Sequence, residues 1–151
     1  MAKVRTCLWF DGTHLEAVHF YTGLIPGSRI DGAPNPEHPP VVIDFTLAGT
    51  PYQALNGGPH YTHTPAASIQ VMTEDQAETD RLWAALIAGG GAESRCGWCV
   101  DRFGVSWQVV PRQLVATVGG PDPDGARRAT EAMLKMTKID IATLEAAYRG
   151  A

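Results

Sequence analysis

The pattern of apolar and polar positions along the chain runs through one order of elements and then repeats it. The first half is predicted to contain a strand, a helix, a short strand, a proline-rich loop and two further strands, at residues 4–10, 13–23, 28–30, 31–40, 41–47 and 52–55. The second half is predicted to contain a strand, a helix and two strands, at residues 67–72, 73–88, 93–100 and 105–110. We interpret the chain as two copies of a strand–helix–strand–strand–strand unit.

Local signals support both helices. Thr13 with Glu16, and Thr73 with Gln76, have the spacing of a capping box, in which a hydroxyl and a longer polar side chain satisfy the first backbone N–H groups. Glycine at position 23 and at 89–91 is suited to ending them. We therefore expect a helix in the same place in each half.

The last strands of the two halves also match residue by residue. Residues 49–55 lie over residues 104–110, so that a glycine, an aromatic residue, a glutamine and two apolar residues coincide. In this alignment Gln53 corresponds to Gln108. The match indicates an internal duplication of a βαβββ module.

The chain changes character after Pro111. Residues 119–124 are predicted to be a linker, residues 126–136 a helix, and Asp140 the cap of a last short helix that carries Ile141, Leu144 and Tyr148. This tail is too apolar to remain solvated, so it must pack on its own sheet or on a partner subunit. We expect the second arrangement, in a homodimer, because two internal helices already cover the outer face of the sheet.

Composition narrows the function classes. The net charge is −4 and the basic residues are scattered, which argues against a nucleic-acid partner or an anionic membrane surface. No apolar run has the length of a membrane span or the form of a signal peptide, and the cysteine count of three is odd. We therefore expect a cytoplasmic protein with reduced thiols.

Several segments resemble the PhnB-like branch, also labelled 3-demethylubiquinone-9 3-methyltransferase-like, of the vicinal oxygen chelate superfamily, which includes glyoxalase I and bleomycin-resistance proteins. The matching segments are residues 8–12, 54–59, 96–98, 101–111 and 138–142. The resemblance implies an α+β fold in which two βαβββ modules form a cup-shaped mixed sheet, with a C-terminal helical tail, in a homodimer. We expect a glyoxalase-like domain at 1–115, with modules 1–59 and 64–115, and a linker with C-terminal helices at 116–151.

The resemblance also implies where a divalent metal would bind, on the first and last strands of each half. The last-strand positions fall on Gln53 and Gln108, and the first-strand positions at or near Val4 and Ala66. Two neutral amides without a carboxylate compensate little of a cation's charge. We therefore expect neither a bound catalytic metal nor another cofactor.

Strand alternation predicts which side chains line the cup. They are Gln53, Ser68, Gln70, Ser106 and Gln108, with Asp44 as the one ionisable candidate. Two interpretations remain open: these groups satisfy one another in a filled barrel, or they bind a small molecule. Asp101 is expected to cap its own turn.

Other motifs favour structural roles. Cys96 and Cys99 lie in a strand-and-turn context and lack the further ligands of a zinc site, so we expect ordinary reduced thiols. His14 and His19 point apart on a helix, and one is expected to be exposed and the other partly packed. His60 and His63 are expected to lie in a loop or at a rim.

The methyltransferase label lacks support at the level of motifs. A glycine-rich loop that cradles S-adenosylmethionine should follow the first strand and lead into a helix, and neither 57–58 nor 89–91 has that context. We therefore expect a protein that binds a small polar molecule in its cup without a catalytic metal. Two alternatives remain: a metal-dependent glyoxalase- or dioxygenase-like enzyme, and a protein that sequesters a drug-like ligand.

Overall fold

A computed structural model describes residues 2–151, and the chain divides into two compact units, the first ending at His63 and the second running from Thr64 to Ala151. The elements of the first unit are β1 (Thr6–Phe10), α1 (His14–Leu24), β2 (Arg29–Ile30), β3 (Val42–Leu47) and β4 (Thr50–Asn56). Those of the second are β5 (Ser68–Thr73), α2 (Gln76–Ile87), a 3-10 turn (Ala88–Gly90), β6 (Ala92–Glu93), β7 (Trp98–Val100), β8 (Ser106–Pro111), α3 (Arg112–Val118), α4 (Pro123–Met133) and α5 (Ile141–Arg149).

Each unit contains one four-stranded mixed sheet, and the two sheets have the same topology. Their strand orders are β1-β4-β3-β2 and β5-β8-β7-β6. The first and last strands of each module pair in parallel, and the other neighbours are antiparallel. Gln53 lies between Cys7 and Asp44, and Gln108 lies between Gln70 and Trp98. The duplication predicted from residues 49–55 and 104–110 is confirmed, and the two glutamines are structurally equivalent.

Strand alternation separates the two faces of the first sheet. Phe10, Phe45 and Ala54 are buried together with Val18 and Tyr21 of α1, and the ring of Phe45 lies 6.4 Å from that of Tyr21. Because successive side chains point to opposite faces, residues 5, 7, 44 and 53 lie on the face turned away from α1. The polar candidate residues of this unit therefore share one face.

The motifs at residues 8–12 and 56–59 hold the end of the first sheet together. The indole N–H of Trp9 donates to the carbonyl of Gly58 at 2.8 Å, and the backbone N–H of Gly12 donates to Oδ1 of Asn56 at 2.8 Å. A Cβ at Gly57 would lie 2.3 Å from the Trp9 ring, so only glycine fits there. Gly57 therefore has a packing function.

The two predicted capping boxes do not form. Thr13 stands at the N-cap of α1 but makes no side-chain cap bond. In the second unit Asp75 is the N-cap, and its carboxylate accepts from the N–H of Glu78 at 2.8 Å. Thr73 is the last residue of β5, and its buried hydroxyl bonds that of Thr79 at 2.7 Å, which makes it unavailable for capping. The prediction for Asp140 is confirmed, because its carboxylate accepts from the N–H of Thr143 at 2.8 Å.

The predicted strand at 93–100 is two short strands with a turn between them. Cys96 and Gly97 both have positive φ, at 57° and 83°. Their N–H groups donate to the carbonyls of Met136 and Thr137, at 2.9 and 2.8 Å. The sequence signal for one strand is therefore overridden by hydrogen bonds to a segment 40 residues further along the chain.

The tail packs on its own unit, and its first helix, α3, was not predicted. Ile139 and Leu144 are fully buried in a cluster with Val110, Leu114 and Ala129. Of the two arrangements considered for the tail, packing on its own unit is the one observed, and the homodimer with tail contacts remains a prediction. Within residues 2–151 no helix is long and apolar enough to cross a membrane.

Candidate functional site

The six residues predicted to line a binding site form two sets, one on each sheet. Asp44 and Gln53 lie on β3 and β4 of the first unit. The others, Ser68, Gln70, Ser106 and Gln108, lie on β5 and β8 of the second unit.

A charged network joins the two residues of the first unit to Arg5. Asp44 accepts from Nε2 of Gln53 through Oδ1 at 2.9 Å, and its Oδ2 lies 2.7 Å from the Arg5 guanidinium. The hydrogen bond from Gln53, assisted by Arg5, holds the pKa of Asp44 below its ordinary value. Asp44 is thus a carboxylate at neutral pH.

Two cavities, each of about 450 Å³, adjoin this network, and Asp31 and Asp44 border both. We call the first the proline-side cavity, and its other lining residues are Ala33, Pro34, Pro40, Val42, Ile43 and Gln53. We call the second the arginine-side cavity, and its other lining residues are Ala2, Arg5, Arg29, Thr46, Gly49 and Pro51. Arg29 bonds Asp31 at 3.0 Å, so each bordering carboxylate has an arginine partner.

Arg5 was missed in the sequence, although it lies in the predicted first strand. The expected first-strand positions, Val4 and Ala66, precede β1 and β5, and the register places Cys7 and Gln70 directly beside the two glutamines. Partial burial, with a contribution from Asp44, raises the pKa of the Cys7 thiol, which keeps it protonated at neutral pH. Cys7 is therefore a poor nucleophile.

In the second unit the predicted residues mostly bond one another. Nε2 of Gln108 donates to the Ser68 hydroxyl at 2.9 Å, and Nε2 of Gln70 donates to Oε1 of Gln108 at 3.4 Å. The hydroxyl of Ser106 is buried, and within the described part of the chain it has no partner. The interpretation in which the polar groups satisfy one another fits this sheet better than the first.

The residues present do not fit a divalent metal. Among residues 2–151 no group of three or more His, Cys, Asp or Glu side chains is arranged to hold one. A cation at Asp44 would compete with the Arg5 guanidinium, and Gln53 already directs its N–H toward that carboxylate. The expectation that purified protein contains no bound metal remains a prediction.

The glycine pairs do not fit a cofactor cradle either. Gly57 is packed against Trp9, and a Cβ at Gly91 would lie 2.6 Å from the carbonyl of Leu86. Both therefore have local steric reasons to be glycine. No step through S-adenosylmethionine follows from these residues.

The two neighbouring cysteines do not form a reactive pair. Cys96 is half-buried and Cys99 is buried, and both are free thiols. Burial, with contributions from Asp101 and Glu93, raises the pKa of Cys99 to about 12. Asp101 caps its turn as predicted, accepting from the N–H groups of Phe103 and Val105 at 2.9 and 3.1 Å, and it also accepts from the Trp107 indole at 2.9 Å.

The histidines differ in part from expectation. His14 is 2% exposed, so it is a core residue, whereas His19 is exposed as anticipated. Nε2 of His14 lies 2.8 Å from the carbonyl of Pro40, and Nε2 of His63 lies 2.7 Å from the carbonyl of Trp9. His60 is an exposed loop residue.

Comparisons with known proteins agree on a family. A family model described as 3-demethylubiquinone-9 3-methyltransferase matches residues 2–110. A PhnB protein from Bacillus cereus, provisionally described as a 3-demethylubiquinone-9 3-methyltransferase, is 30% identical, covers 73% of this chain and 99% of its own, and has a TM-score of 0.64. A search of curated proteins finds no significant match.

More distant structures share the fold. A Pseudomonas aeruginosa protein is 21% identical over 74% of this chain and 98% of its own, with a TM-score of 0.59. A glyoxalase/bleomycin resistance protein from Albidiferax ferrireducens is 17% identical over 74% of this chain and 99% of its own, with a TM-score of 0.50. The α+β fold of two βαβββ modules expected from the resemblance is thereby confirmed.

Proposed function

Since this chain belongs to the 3-demethylubiquinone-9 3-methyltransferase family, the PhnB-like branch of the vicinal oxygen chelate superfamily, we propose that the proline-side cavity of its first unit binds a small polar molecule without a catalytic metal. The observation that carries the proposal is the Arg5–Asp44–Gln53 network at the cavity wall. The second sheet has the same topology with Ser68 and Trp98 at the positions equivalent to Arg5 and Asp44.

The polar groups that line the proline-side cavity are mainly hydrogen-bond acceptors. Asp31 and Asp44 are carboxylates, and the N–H of Gln53 is already directed to Asp44, which leaves its Oε1 as an acceptor. A ligand that fits must therefore supply N–H or O–H donors. The arginines line the other cavity, so an anion has no matching partner on the proline side.

The remaining lining residues select for a compact apolar body. Pro34, Pro40 and Val42 add apolar surface to the lining of this cavity. A volume of about 450 Å³ lies within the range of sites that take small organic ligands. A donor group on an apolar ring or short chain is the ligand class that this wall favours.

The same chemistry favours binding over turnover. Asp44 has a lowered pKa, and its two oxygens are engaged by Gln53 and Arg5, so it is a weak general base. Cys7, the nearest thiol, has a raised pKa. A protein that retains or sequesters its ligand agrees with these properties better than an acid–base catalyst.

A matched series of aromatic probes tests the proposal. Benzyl alcohol and benzylamine carry donors, benzyl methyl ether lacks one, and benzoate is an anion of similar size. We expect the two donor probes to shift the NMR signals of the Gln53 side-chain amide saturably, and the ether and benzoate to leave them unshifted.

Two variants give the control. In the wild-type protein the donor probes should also shift the NMR signals of the β3 backbone amides next to Gln53. Gln53→Leu should abolish these shifts, whereas Gln108→Leu, at the equivalent position of the second sheet, should retain them. Absence of saturable binding by every probe, or binding that survives Gln53→Leu, would refute the proposal.

Metal analysis distinguishes the proposed metal-free binding protein from the metal-dependent enzyme. We expect protein dialysed after purification to contain far less than one equivalent of Zn, Mn, Ni or Fe. One retained equivalent with Asp44 or Gln53 in its coordination shell would favour the metal-dependent glyoxalase- or dioxygenase-like function instead.

A further inference from the structure

We propose that His14 is a positioning residue that fixes the proline wall of the proline-side cavity through one hydrogen bond to Pro40. The effect on ligand binding rests on the proposed function, but the effect on the loop itself does not. His14 is the first residue of α1, and Pro40 ends the proline-rich loop that lines this cavity.

The bond determines where the imidazole proton lies. Nε2 of His14 is 2.8 Å from the carbonyl oxygen of Pro40, and a carbonyl can only accept. Nε2 therefore carries a hydrogen and donates it. In the neutral ring Nδ1 is then an unprotonated acceptor.

The other ring nitrogen, Nδ1, indicates that His14 has a role besides packing. Nδ1 is buried and has no hydrogen-bond partner within residues 2–151, in a side chain that is 2% exposed. An unpaired buried nitrogen is unfavourable, and an apolar side chain of similar size would avoid it. The donor to Pro40 is the property of histidine that compensates for this penalty.

The loop depends on such attachments because of its composition. Four of the ten residues at 31–40 are prolines, which have no N–H to donate. At one end the N–H of Asp31 donates to the Asp44 carbonyl at 2.9 Å, and just beyond the other end the N–H of Asn56 donates to the Val41 carbonyl at 2.8 Å. Pro40 lies next to Val41 at this second end and also lines the cavity. The hydrogen bond from His14 therefore holds this end of the loop.

Hydrogen exchange in full-length variants tests the inference without a ligand. In His14→Leu we expect the Asn56 amide to exchange about tenfold faster, while the Asp31 amide and the denaturation midpoint stay at wild-type values. His14→Gln, which retains an N–H donor, should restore the protection of Asn56. His19→Leu, at an exposed position of the same helix, is the control and should change neither amide.

Binding of benzyl alcohol supplies the functional readout. The affinity should fall about tenfold in His14→Leu and recover in His14→Gln, in parallel with Asn56 exchange. If wild-type protein does not bind benzyl alcohol, the proposed function fails, whereas the exchange experiment still decides the role of His14.

Two results would overturn the inference. One is an unchanged Asn56 exchange rate in His14→Leu. The other is a denaturation midpoint that falls enough to account for the faster exchange of Asn56. In that case His14 would stabilise the protein as a whole and not the loop in particular. Should His14→Leu not fold, ¹⁵N NMR of wild-type protein still tests the bond, because a proton on Nδ1 instead of Nε2 would contradict it.

Discussion

The two sheets have the same topology and the same central glutamine, yet among residues 2–151 the ion pair beside this glutamine is found in the first sheet. Around Gln53 and Gln108 three neighbouring positions differ, and the pairs are Arg5 and Ser68, Cys7 and Gln70, Asp44 and Trp98. In the first sheet these residues form an ion pair beside two cavities. In the second they form a neutral set of amide and hydroxyl hydrogen bonds. The duplicated fold thus places a glutamine at the same point of each sheet. The side chains at the three neighbouring positions determine whether that glutamine belongs to a candidate binding site.

The units also differ in how they are stabilised. The second unit has a tail of three helices that adds Ile139 and Leu144 to its core. The family model matches residues 2–110, so this match ends before the tail. The contrast predicts that substitutions in the second unit act on stability and those in the first on binding.

The largest expected effect is on the core of the second unit. Ile139→Ala should lower the free energy of unfolding by about 2–5 kcal/mol, because a fully buried side chain leaves a cavity. Chemical denaturation measures this. Val115→Ala, at a side chain 56% exposed in the same tail, is the control and should change it by less than about 0.5 kcal/mol. A similar loss in both variants would show that Ile139 is not a core residue.

The two glutamines give the next contrast. Gln53→Leu should weaken benzyl alcohol binding at least about tenfold, and Gln108→Leu should leave it within about twofold, since Gln53 lines the proline-side cavity and Gln108 lies on the other sheet. Isothermal titration on both variants checks the difference. Equal losses would mean that both sheets take part in one site, as the sequence alone suggested.

A smaller effect is expected on the free energy of unfolding at acidic pH. Because the pKa of Asp44 is lowered in the folded protein, its stabilising contribution is present above the unfolded pKa and is lost as pH falls through the folded pKa. The side chain is 38% exposed, so solvent screening limits the contribution to at most about 1 kcal/mol. Asp44→Asn should therefore be slightly less stable than wild type at pH 7, and the difference should shrink as the pH falls through the folded pKa of Asp44. A difference that grows on acidification would contradict this assignment.

The smallest effect is on Cys7. Burial is the main cause of its raised pKa, and Asp44 adds to it, so Asp44→Asn should accelerate iodoacetamide alkylation of Cys7 by about threefold at pH 8. Mass spectrometry of the labelled peptides measures the rate. Cys99, buried and with a pKa of about 12, should remain unlabelled in both proteins and serves as the internal control.

The sequence by itself predicted most of the elements, although not α3 or the division of residues 93–100 into two strands, and it predicted the duplication and the equivalence of Gln53 with Gln108. These follow from short-range signals: apolar periodicity, turn glycines and a repeated strand motif. It also placed Asp44 and Gln53 on one face, because strand alternation is local. The family resemblance added the fold, since its motifs extend over nearly the whole chain.

Only the tertiary structure decided the rest. The ion pair of Arg5 with Asp44 and the hydrogen bond of His14 with Pro40 each join residues at least 26 positions apart. Ile139 is buried in a cluster that includes Val110 of β8, 29 positions earlier in the chain. Thr73 has the sequence signal of a cap, but a hydrogen bond to Thr79 makes its hydroxyl part of the core. Such outcomes depend on which group the folded chain brings beside a residue, and local propensity contains no information about that.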